Sequence, residues 1–455
     1  MSNRFIEIDR SQPITLPGNL EGWLDGNDLA HFIVEVVEAL DTRAIEEAYQ
    51  GGGSAPYPPK MLLALLFYCY AKGIFSSRKI ERATYELIPV LYITGGTHPD
   101  HDSINTFRKR FLRQLEPLVV QLLRIAHGLG ILKLGDVSID GTKIQANASK
   151  HKAMSWAYAE KLEETLRAEV QTLLQRAETA GGQGSKEIDL PAELKRREDR
   201  LQKIAEVKAE IERRAQARYA QEQADYAGKQ AERAAKEQAR GRKLGGKQPQ
   251  EPIPGPRPKD QVNFTDEDSR IMPVSGGGFE QAYNAQATVD MATLLVVGAH
   301  VTQHVNDKQE VEPALQELAK LPDDLGQVER AALDNGYYSQ DNVDTLAGHG
   351  IEPFIAVGRQ RHDEALEERL APVPEAPQNP EAVGAMKHRL KTTEGKAFYA
   401  KRKTTVEPVF GIIKEVMGFR RFLLRGLEAV KGEWRLVCLA FNLKRLCALR
   451  AYIGE

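Results

Sequence analysis

The first part of the chain carries apolar residues at helical spacing. Four segments show this pattern, at residues 28–40, 59–72, 76–86 and 103–129. Repeats at three and four residues place apolar side chains on one face of a helix, so each segment is predicted to be helical. Residues 1–130 are therefore expected to form an all-helical domain.

The middle of the chain has a different composition. Residues 156–242 are rich in Ala, Glu, Lys, Arg and Gln, and Leu and Ile residues follow two helical seams separated by GGQGS. A Pro- and Gly-rich stretch, PIPGPRP, follows. This pattern predicts a coiled-coil-like helical hairpin and linker over residues 156–259, inserted into another domain. Its balanced charges are typical of a solvated face; the alternative is an arm that reaches along DNA or pairs two protomers.

Short apolar runs on both sides of this insertion predict β-strands. They are VSIDGTKI, with a turn expected at Gly141, then YNAQATV, LLVVGAHV, VERAAL and EPFIAV. Helical patterns follow the third, fourth and fifth runs. Without the insertion, this order predicts a ribonuclease-H-like mixed sheet of the α/β class, formed by residues 131–155 and 260–455. In that topology the first strand is central and the fourth lies beside it.

Three acidic residues occupy positions suited to catalysis. Asp140 and Asp334 lie at strand-like ends, where side chains reach the ligand-binding edge of a sheet. Glu407 lies in the basic segment YAKRKTTVEPVFGIIK, where Pro408 either kinks a helix or begins one. Carboxylate oxygens suit Mg²⁺, and two such ions can stabilise the charge on both oxygens of a phosphodiester that is cut. These acids are therefore candidate catalytic residues and metal ligands.

Other acids and histidines compete for this role. Asp266 and Asp268 are more typical of loop caps, because no predicted strand carries them. Asp307 follows the third predicted strand and remains a weaker candidate. His300 is expected on a strand face, and His304 is close enough to Asp307 in the sequence to reach the site.

Charge is distributed unevenly along the chain. The formal net charge is -2, which excludes a uniformly basic protein. Residues 387–450, however, contain 16 Lys and Arg residues against 5 acids, as phosphate binding requires. The helical segments SSRKIERATYE and HDSINTFRKRF carry Arg78, Arg108 and Arg110, which are candidate DNA contacts of a helix-turn-helix-like pair. The alternative is a packing domain with basic outer faces.

The cysteines and the apolar segments indicate the cellular compartment in which the protein is expected. The three cysteines form no CxxC pair, which is typical of reduced thiols. The N-terminal residues lack the apolar core of a signal peptide, and the apolar run at 61–71 is too short to span a bilayer. A cytoplasmic protein without a membrane partner is therefore expected.

Several of these motifs together resemble a known family. DGTKI, LDNGYYS and the segment from Tyr399 to Lys414 resemble the DDE transposases of bacterial insertion sequences, in the group with a Tyr, Arg, Glu, Lys signature. Tyr399, Glu407 and Lys414 match that signature. Arg402 keeps the family's distance from the Tyr, whereas Lys403 keeps its distance to the Glu, so the second basic residue stays open. YPPKMLLALLFYCYAKGIFSSRKIERA, TDEDSRIM and YNAQ extend the resemblance over most of the chain.

The resemblance implies a reaction and a set of ligands. Asp140, Asp334 and Glu407 would bind Mg²⁺, for which Mn²⁺ would substitute, free a 3′-hydroxyl at an element end, and join it to target DNA. Tyr399, Lys414 and one of the two basic residues would contact the terminal DNA. A homodimer on double-stranded DNA, associated with the nucleoid, is expected. The alternatives are a ribonuclease-H-type nuclease without strand transfer and a non-catalytic DNA-binding protein or inactive copy.

Overall fold

The chain forms two compact units. The computed structural model describes residues 18–49, 56–179, 189–246, 248–274, 276–358, 375 and 381–453. Residues 1–17, on which the signal-peptide prediction depends, lie outside this part of the chain. Residues 1–145 and 283–455 belong to the first unit, and residues 146–282 form the second. Within the described residues, no helix is both long and apolar enough to cross a membrane.

Helices fill the N-terminal part of the first unit. They are α1 (Leu29–Ala39), α2 (Arg43–Glu46), α3 (Pro59–Ala71), α4 (Ser77–Glu86), α5 (Ile88–Thr94), α6 (His101–Phe111) and α7 (Leu115–Gly128). The predictions for α1, α3 and α4 are confirmed to within one residue at each end. The single helix predicted over residues 103–129 is wrong, because a 3-10 turn at Leu112–Gln114 separates α6 from α7.

The two basic helices predicted as a pair are not consecutive. Helix α5 lies between α4 and α6, and the sequence pattern did not indicate it. Its Pro89 stands in the first turn, where a missing N–H leaves no intrahelical bond unmade. Asp100 caps α6 by accepting the N–H groups of Asp102 and Ser103.

Helix α3 is the buried centre of the helical region. Every residue from Leu62 to Ala71 is buried, as expected of a helix that is apolar on all sides. It packs against α1, α5 and the last helix of the chain, α15 (Leu427–Ile453). A buried hydrogen bond also joins these elements, because Tyr70 Oη lies 3.3 Å from Glu433 Oε1.

A mixed sheet positions the acidic residues. The strands of the described residues are β1 (Leu134–Gln145), β2 (Ala153–Ser155), β3 (Gln261–Asn263), β4 (Arg270–Pro273), β5 (Phe279–Asp290), β6 (Val296–Thr302), β7 (Gly326–Leu333) and β8 (Glu352–Ile355). The six-stranded sheet has the order β4-β5-β1-β7-β8, and β6 pairs with β5. Strands β1, β7 and β8 are parallel, whereas β4, β5 and β6 pair antiparallel. The predicted central first strand, with the strand of Asp334 beside it, is confirmed.

Strand β1 does not turn at Gly141. It continues without interruption to Gln145, so the predicted turn is wrong. Position 141 requires glycine because its neighbours leave no room for a side chain, and not because the chain bends there. A Cβ atom there would lie 2.1 Å from Gln286 Nε2 and 2.7 Å from Asp307 Oδ1.

The second unit contains the inserted helices. Helices α8 (Trp156–Thr179) and α9 (Leu190–Arg240) pack against each other, as predicted for this region. Leu166 of α8 and Ile204, Val207 and Ile211 of α9 are buried in their shared apolar cluster. The short strands β2 and β3 pair antiparallel. Apolar residues at helical spacing therefore hold this unit together.

The remaining helices lie after β6. They are α10 (Val311–Leu318), α11 (Gln340–Gly348), α12 (Ala382–Arg389), α13 (Thr393–Ala400), α14 (Val406–Gly411) and α15. Helix α15 contacts β6, and Trp434 donates its indole N–H to the carbonyl oxygen of Gln286 at 2.9 Å. The last helix therefore packs against the sheet that carries the acids.

Candidate active site

Two aspartates leave neighbouring parallel strands at adjacent positions. Ile139 of β1 pairs with Leu333 of β7, so Asp140 and Asp334 are the next residue on each strand. Asp334 Oδ1 accepts the backbone N–H of Gly336 at 2.7 Å, which closes the turn after β7. Two residues 194 positions apart in sequence are thereby brought together by the parallel pairing.

Burial and charge together set the ionisation of Asp140. Its side chain is 15% exposed. The pKa of Asp140 is raised to about 6 by the net effect of its surroundings. Burial raises it most, the Arg402 guanidinium lowers it, and the negative charge of Asp334 raises it again. The carboxylate is therefore ionised at neutral pH and becomes protonated as the pH falls through about 6.

Arg402 links Asp140 to Glu407. Its Nη1 lies 2.9 Å from Asp140 Oδ2, and its Nη2 lies 3.7 Å from Glu407 Oε1. The Glu407 side chain is 53% exposed. The neighbouring Lys403 is exposed. Of the two basic residues left open by the sequence, Arg402 is the one that reaches the acids.

The backbone between Arg402 and Glu407 explains this choice. Residues Lys401–Thr404 form a 3-10 turn, and Thr405, with φ −109° and ψ −81°, separates it from α14. Thr405 Oγ1 donates to the carbonyl oxygen of Lys401 at 2.8 Å and stabilises the break. Glu407 and Pro408 both lie in the first turn of α14, which begins at Val406, so of the two predicted alternatives the structure is nearer to Pro408 at a helix start.

The other two signature residues also touch the central strands. Tyr399 donates its hydroxyl to the carbonyl oxygen of Leu333 at 3.1 Å. Lys414 donates to Thr142 Oγ1 on β1. Both side chains therefore lie within one or two residues of an aspartate along the sheet.

The donor atoms fit a hard divalent cation in their chemistry. Asp140, Asp334 and Glu407 supply carboxylate oxygens, which Mg²⁺ prefers. Across the described ranges, no three acidic, histidine or cysteine side chains are gathered closely enough to hold an ion. Arg402 contacts both Asp140 and Glu407. These three acids are the site residues whose donor atoms could hold a metal.

Two comparisons with known families bear on this site. Residues 252–443 match the Transposase DDE domain, and residues 19–110 match the Transposase domain (DUF772). Together the two matches indicate a DDE transposase of an insertion sequence. The DDE match contains Asp334 and Glu407, whereas Asp140 precedes it. No curated protein and no solved structure matches the chain.

The transposase carries further polar residues beside the two aspartates that the sequence ranked low or missed. Asp307 Oδ1 accepts hydrogen bonds from Asn284 Nδ2 and Gln286 Nε2, each at 2.7 Å. Lys143 Nζ lies 3.6 Å from the same oxygen. The available signals were the YNAQ run, which alternates polar and apolar residues, and the lysine in DGTKI.

Tyr337 connects this polar group to the Asp334 turn. Its hydroxyl donates to Gln286 Oε1. Burial raises the pKa of Tyr337, and the charges of Asp140, Asp307 and Asp334 raise it further. A buried, neutral tyrosine therefore packs among the acids of the transposase.

The other candidate acid and the candidate histidines have partners of their own. Asp266 is buried in the second unit, where its carbonyl oxygen accepts the Ser269 hydroxyl at 2.7 Å. His300 Nε2 and His304 Nδ1 lie 2.9 and 2.7 Å from opposite oxygens of buried Glu310. These contacts lower the pKa of Glu310 to about 2 despite burial and raise that of His304. The histidines hold the loop that bears Asp307.

The three N-terminal arginines differ in exposure. Arg78 and Arg110 are exposed. Arg108 is 5% exposed, and its Nη1 donates to Tyr70 Oη at 3.0 Å and to the carbonyl oxygen of Phe75 at 2.9 Å. This buried position suits a packing role and does not suit contact with DNA.

Proposed function

We propose that this transposase cuts the ends of its element and joins the freed 3′-hydroxyls to target DNA, with Asp140, Asp334 and Glu407 as its catalytic residues. The observation that carries the proposal is the pairing of β1 with β7, which sets two aspartates side by side, with Arg402 joining one of them to Glu407. The sheet order around them supports a ribonuclease-H-like catalytic domain.

The reaction is a pair of displacements at phosphorus. In the first, a water oxygen forms a bond to the phosphorus at the element end, and the 3′-oxygen of the element leaves. In the second, that 3′-hydroxyl forms a bond to a target phosphorus, and a target 3′-oxygen leaves. Bound Mg²⁺ or Mn²⁺ would stabilise charge on the entering and leaving oxygens.

The side chains of the site have different roles: some bind the metal, some bind DNA phosphates, and one fixes the position of a neighbouring segment. Asp140, Asp334 and Glu407 would hold the metal, and this requires the ionised form of Asp140, whose pKa is about 6. Arg402 and Lys414 supply cations for DNA phosphates. Tyr399, through its bond to the carbonyl oxygen of Leu333, fixes the segment that carries Arg402.

The wider assembly follows from the need to act at two ends. Residues 1–130 are proposed to bind DNA through exposed Arg78 and Arg110. Both element ends must be cut together, so the active form is proposed to be a homodimer on double-stranded DNA in the nucleoid. Residues 156–259 form the insertion into the catalytic domain, which comprises residues 131–155 and 260–455.

Cleavage of a supercoiled plasmid tests this function. The plasmid carries the inverted repeats that flank the gene, and the purified full chain is added with Mg²⁺, with Mn²⁺ or with EDTA. We expect breaks at the repeat ends that bear 3′-hydroxyls, followed by joined products, with either metal and not with EDTA. Breaks without joined products would indicate a nuclease, and the absence of both would contradict the proposal.

A matched pair of substitutions tests the role of Arg402. Arg402→Gln and Lys403→Gln each remove one positive charge from adjacent positions. A charge-assisted hydrogen bond contributes roughly 1.5–3 kcal/mol, so R402Q should lower single-turnover cleavage by about 10- to 100-fold. Exposed Lys403 lacks that contact, and K403Q should cost about threefold or less. Equal losses in the two variants would contradict the assignment.

A further inference from the structure

Lys143 is a largely buried cation in the same strand as Asp140. Its ammonium lies 3.6 Å from Asp307 Oδ1, and both side chains are less than one-fifth exposed. Burial lowers the pKa of Lys143, whereas the charges of Asp307, Glu310 and Asp140 raise it. A strongly hydrated ammonium is costly to bury unless an anion or several acceptors surround it.

The contact with Asp307 does not satisfy this ammonium. Asp307 Oδ1 already accepts two shorter bonds, from Asn284 and Gln286 at 2.7 Å each. A separation of 3.6 Å is beyond hydrogen-bond range, and an ammonium group has three donors. Lys143 therefore has donors that can serve another acceptor.

Lys143 and Lys414 lie on opposite faces of the same strand. Adjacent residues of a strand point to opposite faces, so Thr142, which accepts from Lys414, points away from Lys143. Burial lowers the pKa of Lys414, and the positive charge of Lys143 lowers it further. The two cations therefore flank β1 just beyond Asp140.

We propose that Lys143 is a further DNA-contacting residue, whose ammonium binds a phosphate oxygen of the element end from the face of β1 opposite Asp140. Asp307, held by the amides of Asn284 and Gln286, positions the ammonium. The inference rests on the proposed function, since the anion is DNA phosphate. Together with Lys414, Lys143 places a cation on each side of the strand that bears Asp140.

The test is the salt dependence of end binding by the full chain. The probe is a labelled duplex of the terminal repeat, titrated in EDTA between 50 and 200 mM NaCl to prevent cleavage. Each phosphate contact contributes about 0.9 to the slope of log K against log salt, so Lys143→Met should reduce the slope by about that amount. Lys143→Arg should retain the slope, because the charge remains.

Lys320 provides the matched control. It is an exposed lysine that is also ion-paired, with Glu317 Oε1 at 2.7 Å and Glu116 Oε1 at 2.9 Å, and neither partner is an acid of the site. Lys320→Met should keep the wild-type slope. A wild-type slope in folded K143M, or an equal reduction in K143R, would overturn the assignment of Lys143.

Two readouts separate this inference from the function on which it rests. Wild-type protein that does not prefer the terminal repeat over a scrambled duplex contradicts the function itself. Wild-type protein that prefers it while K143M keeps its slope contradicts the inference alone. Thermal unfolding of each variant shows whether it is folded. If K143M unfolds, Lys143→Gln takes its place; it keeps a polar side chain and removes the charge, so it should show the same reduced slope, and a wild-type slope would overturn the assignment.

Discussion

Asp140→Asn and Asp334→Asn should each abolish cleavage at the element ends and leave end binding intact. Asparagine preserves the shape of the side chain and removes the charge that a divalent cation needs. Loss of several kcal/mol of charge stabilisation at the transition state corresponds to a decrease of about 10³-fold or more. Single-turnover cleavage of a repeat-bearing duplex measures the effect, and a gel-shift titration measures binding.

Asp136→Asn is the control for these substitutions. Asp136 lies in the same strand, four residues before Asp140, and its carboxylate forms an ion pair with Arg330 at 2.7 Å. Removal of this charge should change cleavage by about threefold or less, because surface and half-buried ion pairs contribute little. If D136N is as inactive as D140N, the loss reflects the fold, and the catalytic role of Asp140 would be withdrawn.

Gly141→Ala should destabilise the transposase and disable its site together. The added methyl group would lie 2.1 Å from Gln286 Nε2 and 2.9 Å from Asn284 Oδ1. Those amides cannot move freely, because both donate to Asp307. Overpacking of a well-packed site lowers the free energy of unfolding by roughly 1–3 kcal/mol. The clash with the two amides would also shift the backbone at position 141, which is next to Asp140. Chemical denaturation and single-turnover cleavage report the two effects.

Gly135→Ala supplies the comparison within the same strand. A Cβ atom at Gly135 would have no neighbour within 4 Å, and its backbone does not require glycine. Loss of glycine's freedom in the unfolded chain should leave stability unchanged or raise it by about 0.4–1 kcal/mol. If G141A is as stable and as active as G135A, the close packing around Gly141 has no energetic consequence.

The helices were predictable wherever a single pattern decided them. Helix α3 is apolar on all sides, and no other structure suits so continuous a run at that length. The break at Leu112–Gln114 was not predictable, because the apolar spacing continues across it and tertiary packing sets the turn. The role of Gly141 was also hidden, since its crowding comes from Gln286 and Asp307, far along the chain.

The site was predictable where apolar runs located it. Asp140 and Asp334 follow apolar runs, and the order of elements put those strands together. The choice between Arg402 and Lys403 depended on the backbone angles of Thr405, which no residue pattern encodes. Arg108 and exposed helix arginines have the same sequence signature, and only the acceptors on Tyr70 and Phe75 distinguish them.

The packing of α3 against α15 has a consequence for synthesis. The ribosome completes α3 roughly 360 residues before α15, a delay of about 20–70 s at 5–20 residues per second. Throughout that interval the face of α3 that α15 covers has no partner on the nascent chain. Translation products that stop before the last helix should therefore be held by chaperones or degraded, and only full-length chains accumulate as folded protein.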